Sequence, residues 1–312
     1  MDLKATLNHF GKGKKPFFFC ISYDLKSWEV TPLQDLKPNI LFTINIKNSN
    51  IKEKISLGKK PINFKTYSKK FQQILTQIEA GNTYLVNLTA KTKILSKHSL
   101  LDIYEHSSAK YKLFYKNKFV SFSPETFIQI KNNTIYTYPM KGTINANIPN
   151  AKERILADEK EKAEHTMIVD LLRNDLNIVS TNVQVNRFRF IEQIQAGTND
   201  LLQVSSEISG QLDSNWHSQI GDILTNLLPA GSISGTPKKK TLEIIQNIEK
   251  YKRGFFSGIW GIFDGENLDS AVLIRFIEQK GGNLIYKSGG GITIDSKCID
   301  EYNEMIEKVY IP

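Results

Sequence analysis

Two glutamate pairs are the first residues whose spacing can do chemistry: Glu161 and Glu164 in Glu161-Lys162-Ala163-Glu164-His165, and Glu301 and Glu304 in Glu301-Tyr302-Asn303-Glu304. Residues three apart on a helix share a face, so each pair presents two carboxylates together. If the two faces meet, four oxygen donors converge. That set suits a hard cation, and Mg²⁺ takes one or two carboxylates directly and holds others through water. Such pairs also decorate solvated helices, and spacing alone leaves both readings open.

Single residues add further chemistry. Lys141, in Pro139-Met140-Lys141-Gly142-Thr143, ends a β-branched and aromatic stretch beside a glycine that lets a ligand approach. Its amine is a nucleophile if burial lowers its pKa, and an exposed turn lysine otherwise. Glu125 in Ser123-Pro124-Glu125 is a general acid if burial raises its pKa, and a surface carboxylate otherwise. Arg275 interrupts the apolar run Val272-Leu273-Ile274-Arg275-Phe276-Ile277 and needs an anionic partner, either a structural carboxylate or a ligand's. Gly231-Ser232-Ile233-Ser234-Gly235-Thr236-Pro237-Lys238 and Ser288-Gly289-Gly290-Gly291 can offer backbone N–H groups to an anion. Neither is a nucleotide loop, since GxxxxGK[ST] and a helix-opening GxGxxG are both missing. His165, next to Glu164, is an orienting residue or an ordinary helix histidine.

The elements that must position these groups read as mixed strands and helices. Strand patterns cover 16–23, 40–46, 119–122, 127–130 and 134–139, and later 258–263, 271–278 and 283–288. Apolar residues at helical spacing predict helices over 67–80, ending at Gly81, and over 152–175, 220–227, 239–248 and 300–310. No repeat or Pro/Ser-rich seam divides the chain. The pattern predicts one intertwined α/β (α+β) domain over residues 1–312.

Composition agrees with a folded, soluble protein: 312 residues, 40% hydrophobic and 23% charged. The 41 Lys+Arg exceed the 32 Asp+Glu by 9, yet the lysines are scattered in short groups with no nucleic-acid-binding pattern. The run Pro16-Phe17-Phe18-Phe19-Cys20-Ile21 is far shorter than the ~20 residues needed to span a bilayer. No secretory signal precedes it. The expectation is a cytoplasmic protein that binds neither nucleic acid nor membrane, with Cys20 and Cys298 reduced.

Taken in order, these segments resemble the chorismate-using enzymes: anthranilate synthase component I, aminodeoxychorismate synthase component I, isochorismate synthase and salicylate synthase. The resemblance rests on Tyr84-Leu85-Val86-Asn87-Leu88, Ser123-Pro124-Glu125, Pro139-Met140-Lys141-Gly142-Thr143, the stretch from Ala163 to Asp175, that from Pro229 to Lys238, Ile274-Arg275, the triple glycine, and Glu301 to Glu304 with Lys308. It covers residues 67–312 and leaves 1–66 as a shortened leading segment. It implies two large β-sheets with flanking helices and no tryptophan feedback pocket. Lys141 is the discriminator, because anthranilate synthases carry alanine there and aminodeoxychorismate synthases carry lysine.

The resemblance implies that Lys141 attacks C2 of chorismate while Glu125 protonates the departing C4 hydroxyl. Ammonia from a glutaminase partner then gives 4-amino-4-deoxychorismate, which a separate lyase converts to the 4-aminobenzoate used in folate synthesis. Mg²⁺ held by Glu164 and Glu304, with Glu161 and Glu301 close by, would clamp one substrate carboxylate. Arg275, Lys308 and the backbone of Gly289, Gly290 and Gly291 would bind the other, with Thr143 orienting the ligand. Three positions depart from the family pattern: Leu85 stands where isochorismate synthases have lysine and ammonia users glutamine, Gln203 stands where histidine is common, and Thr236 replaces alanine. The rival expectations are anthranilate synthase component I and a silent chorismate-binding or glutaminase-anchoring subunit.

Overall fold

The structure is a computed structural model, and it describes residues 1–45, 55–196 and 199–312. Its organising fact is the strand Phe17–Ile21, buried along its whole length. Side chains alternate across a strand, so Phe17, Phe19 and Ile21 point into a core shared with helices. Phe18 and Cys20 point the other way, into a core with Tyr111, Leu113 and Phe119 of a second sheet. A continuous apolar run is what burial on both faces requires.

The first sheet has nine strands in the order Met140–Asn145, Asn199–Gln211, Thr134–Thr137, Thr126–Lys131, Leu268–Val272, Ile259–Phe263, Phe17–Ile21 and Trp28–Pro32, with Thr181–Ala196 pairing Asn199–Gln211. The second has eight, running from Gly235–Thr236 through Leu85–Leu95, Asn283–Ile292, Phe276–Lys280, Phe119–Ser123 and Tyr111–Tyr115 to Ile40–Ile44, with Gly58–Lys60 on Leu85–Leu95. The recorded pairings are antiparallel, such as Phe19 opposite Gly261 and Gly290 opposite Leu88. Helices Phe64–Glu79, Lys238–Glu249 and Cys298–Glu307 cover the outer face of the second sheet through Phe71, Ile245 and Met305. Helices Leu3–Lys12, Glu159–Val179 and Ile220–Leu227 cover the first through Leu7, Leu172 and Leu224. The architecture is therefore two large sheets between helices, α+β as the sequence pattern predicts.

Several expected boundaries move. The helix expected over 67–80 spans Phe64–Glu79, because Asn63 caps it by accepting from Thr66 N, and Gly81 follows it at φ +71°. The helix expected over 152–175 is two helices, Ala151–Ala157 and Glu159–Val179. Asp158 leaves helical geometry at ψ 108° and its side chain accepts from Glu161 N, which starts the second helix afresh. The strand expected over 271–278 is also two, Leu268–Val272 in the first sheet and Phe276–Lys280 in the second. Arg275 lies in the crossing between them at φ +49°. The triple glycine is not a loop but the end of strand Asn283–Ile292, where a Cβ on Gly289 would stand 2.2 Å from the Leu88 carbonyl oxygen. The long hairpin Thr181–Ala196 and Asn199–Gln211 escapes the sequence pattern altogether. The strand expected over 40–46 is Ile40–Ile44, and residue 46 lies outside the described residues. Cys20 and Cys298 are free, and among the described residues no helix is long and apolar enough to cross a membrane.

One buried ion pair ties the layers together. Arg253 and Glu249, both 1% exposed, meet at 2.7 Å. Arg253 also donates to the carbonyls of Asn87 at 2.7 Å and Ile233 at 2.9 Å, while Glu249 accepts from Thr89 N at 2.8 Å. Removing one member leaves the other charged, buried and unpaired. Glu249→Ala should therefore lose about 3–5 kcal/mol of stability by urea denaturation, and an unchanged midpoint would refute this role for the pair.

Candidate active site

A cavity of about 220 Å³ opens where the ends of the two sheets meet two outer helices. Its walls carry Glu125, Lys141, Glu164, Arg275, Lys308 and the backbone of Gly289 to Gly291, so most of the sequence-predicted site is brought to one place. Gln203, 8% exposed on strand Asn199–Gln211, lines it as well. Thr143 does not line it. Gly142 adopts φ +89° at a break in register with strand Asn199–Gln211, and Thr143, just past the break, is exposed.

Lys141 is paired, not free. Its Nζ lies 2.7 Å from Glu164 Oε2. Burial works to lower the Lys141 pKa, but attraction from Glu164, with Glu161 and Glu304 behind it, outweighs burial and holds the ammonium above its ordinary value. The depressed amine expected from burial alone is thus not what this environment produces, because carboxylate charge is in excess around it. Burial pushes the Glu161 and Glu301 carboxyls up, and among the described residues Glu161 Oε2 is buried without a hydrogen-bond partner.

Glu161, Glu301 and Glu304 are not among the residues that line the cavity, and they approach it from the two outer layers. Glu161 Oε2 stands 3.1 Å from where a Gly142 Cβ would be. Across the cavity, Glu301 Oε2, Lys308 Nζ and Glu304 Oε2 would lie 3.2, 3.6 and 4.0 Å from a Gly290 Cβ. A side chain at either glycine would sit in contact with these carboxylates, and glycine leaves that space open. The donor set fits a hard divalent cation in kind: oxygen only, four carboxylates, one oxygen unpartnered. In arrangement the glutamates form two pairs, and among the described residues no three acidic, histidine or cysteine side chains form a metal-holding group. The reason is local: Lys141 draws Glu164 to itself, and Lys308 draws Glu304, at 2.7 Å.

Arg275 and Lys308 form a cationic side of the cavity. Arg275 lies over the Tyr310 ring at 5.5 Å, and its buried Nε has no hydrogen-bond partner among the described residues. Lys308 donates to the Gly289 carbonyl at 2.9 Å. Burial, opposed by Glu304, lowers its pKa. Glu125 is half-buried, and burial pushes its carboxyl up against the opposing pull of Ser232, Arg275 and Lys308. Sequence reasoning missed Lys287, 2% exposed, which lines the cavity while donating to Glu278 and to the Arg253 carbonyl, each at 2.8 Å. It also missed the side chains of Ser232 and Asn87. The lone lysine in strand Asn283–Ile292, immediately before Ser288 and the glycines, was the one available signal for Lys287.

These observations can be set beside known proteins. The chorismate binding enzyme family matches residues 9–312. The chain belongs to that family. A PabA-like protein of Haemophilus influenzae is 48% identical over 310 residues, covering 98% of this chain and 94% of its own length. Aminodeoxychorismate synthase component 1 of Bacillus subtilis is 32% identical over 260 residues, 78% of this chain and 54% of that protein. The crystal structure of anthranilate synthase component I from Streptococcus pneumoniae matches with a TM-score of 0.71 at 28% identity, over 82% of this chain and 59% of that one. The chain thus spans little more than half the length of the latter two relatives. In this chain the cavity brings Glu125 and Glu164 together with Lys141, Lys287, Lys308 and Arg275.

His165, next to Glu164, does not line the cavity. It is fully buried, its Nε2 lies 2.7 Å from Ser206 Oγ, and burial with Arg189 nearby pushes its pKa down to about 4. It keeps helix Glu159–Val179 seated on strand Asn199–Gln211. The folded ring stays neutral while the unfolded ring protonates near pH ~6.5. Unfolding therefore takes up a proton between pH ~6.5 and about 4, and stability from this residue, full above that window, is lost as pH falls through it. The stability difference between wild type and His165→Gln should shrink with falling pH in urea titrations, and a constant difference would show that the ring does not titrate this way.

Proposed function

We propose that this chain aminates chorismate at C4 to give 4-amino-4-deoxychorismate, using ammonia delivered by a separate glutaminase subunit. The observation that carries the reading is the presence in one cavity of a lysine, Lys141, and a carboxyl raised by burial, Glu125, facing cationic groups at Arg275 and Lys308. Chorismate is a dianion whose C4 hydroxyl is a poor leaving group, so its reaction needs cations for binding and an acid at C4.

In this reading Lys141 first passes a proton to Glu164, whose Oε2 lies 2.7 Å from its Nζ, and takes it back when the amine is released at the end of the cycle. The free amine bonds to C2 of chorismate, the ring π electrons shift, and the C4–O bond breaks as Glu125 supplies a proton and water leaves. Ammonia bonds to C4, the electrons shift back and the C2–N bond to Lys141 breaks. The net change is ammonia in and water out. Arg275 and Lys308 hold one substrate carboxylate in place through these steps. Glu164 and Glu304, supported by Glu161 and Glu301, are the residues that would hold Mg²⁺, which would neutralise the second carboxylate. Leu85 is an apolar wall of the cavity, and it offers no base to activate water. That favours ammonia as the nucleophile. The product would serve a separate lyase on the route to 4-aminobenzoate and folate, in the cytoplasm.

The test is incubation of the purified chain with chorismate, Mg²⁺ and ammonium, with the product identified by mass and by conversion to 4-aminobenzoate with an added lyase. Fluorescent anthranilate, or no turnover even with a glutaminase present, would overturn the reading. Glu125→Gln should slow turnover by about 10²–10⁴-fold. Lys141→Ala should greatly slow it while chorismate still binds by calorimetry, and unchanged turnover would remove the covalent step. Glu164→Ala should lose Mg²⁺ dependence together with activity.

A further inference from the structure

Glu125 is held at one oxygen only. Among the described residues a single side chain hydrogen-bonds its carboxyl: the Ser232 hydroxyl donates to Oε1 at 2.6 Å. The two residues are 107 positions apart in sequence, and both are fixed from behind. Glu125 N donates to Ser123 Oγ at 3.1 Å, and its carbonyl accepts from Val272 N at 3.2 Å, which anchors it to the first sheet. Ser232 sits in the 3₁₀ turn Gly231–Ile233. Arg253 donates to the Ile233 carbonyl at 2.9 Å and Ser234 Oγ to the Ala230 carbonyl at 2.5 Å. A Cβ on Gly231 would stand 2.8 Å from Asp175 Oδ2, so the turn is seated directly on helix Glu159–Val179. A mobile surface serine would have neither the anchors nor the partner.

A carboxylic acid that delivers a proton must present O–H at a defined oxygen. We propose that Ser232 is a positioning residue for proton transfer: by occupying Oε1 it leaves Oε2 as the oxygen that carries the proton to the leaving hydroxyl. This rests on the reading of Glu125 as the acid in chorismate amination. The balance is simple. The Oε2 proton leaves with the C4 oxygen as water, the Ser232 hydroxyl remains bonded to the carboxylate that results, and the proton returns from the ammonium formed when ammonia adds at C4. A hydrogen bond to a carboxylate is stronger than one to the neutral acid, so Ser232 also stabilises Glu125 after it has given up its proton. The charged groups facing Glu125 are Arg275 from the sheet crossing and Lys308 from the end of helix Cys298–Glu307, and both act in the same direction as Ser232. Lys141, Glu164 and Lys287 share the cavity.

The experiment compares Ser232→Ala and Ser232→Thr in two readouts. In steady-state amination of chorismate, Ser232→Ala should lower kcat about 10- to 100-fold with KM for chorismate within about twofold, and Ser232→Thr should restore it. In the Glu125→Gln background the same alanine should add little further loss. In the free enzyme, the titration of the Glu125 carboxyl, followed by difference infrared spectroscopy and assigned with Glu125→Gln, should move to higher pH in Ser232→Ala and return in Ser232→Thr. An unmoved carboxyl titration, a full additional loss in the Glu125→Gln background, or a rise in KM at constant kcat would each overturn the proposal. If wild type makes no 4-amino-4-deoxychorismate, the functional reading fails by itself. The carboxyl titration, which needs no turnover, then still decides whether Ser232 governs Glu125.

Discussion

Arg253 has one charge and no water to share it with, and much of the cavity depends on how that charge is met. Glu249 takes it with two hydrogen bonds, at 2.7 and 3.0 Å. The remaining donors are spent on the carbonyls of Asn87 and Ile233 and on Ser257. Asn87, Ile233 and Ser257 all line the cavity. Behind them, Lys287 donates to Arg253's own carbonyl. A pair buried this deeply is a weak source of net stability, because desolvation cancels much of the attraction. What it does provide is a fixed spatial relation between helix Lys238–Glu249, strand Leu85–Leu95 and the turn that carries Ser232.

On that floor the cavity sets an excess of carboxylate against a smaller number of lysines. Four glutamates approach from two outer helices, while Lys141 and Lys308 each take one of them. Each lysine is thereby held by its own glutamate, at 2.7 Å in both pairs. Glu125 stands apart from this network, its neighbours being cationic or neutral, which is the setting an acid needs if it is to release a proton rather than keep one.

The local features were the legible ones. Glutamates three apart share a helix face wherever the helix lies, and the triple phenylalanine strand announces burial on both faces, so both could be read from short windows. Arg275 was readable as a buried arginine but not as a crossing, because apolar residues continue on both sides while the chain changes sheets at a single left-handed residue. The triple glycine was readable as a backbone that could offer N–H groups, yet whether it was loop or strand depended on the Leu85–Leu95 partner, whose Leu88 carbonyl lies 2.2 Å from a would-be Cβ. Asp158 carried a capping residue's signature, but it stands in a charged run that reads equally well as the solvated face of one long helix.

What the sequence determined by itself was the inventory: the residue types, their order, the family they identify, and the helix and strand periodicities that a few neighbouring residues impose. Only the tertiary structure decided the partnerships. Lys141 with Glu164, Ser232 with Glu125, Lys287 with Glu278 and the exclusion of Thr143 all depend on which segments the two sheets bring together. Whether a charge is raised, lowered or neutralised is decided within a few ångströms, and that distance is a property of packing between residues far apart in the chain.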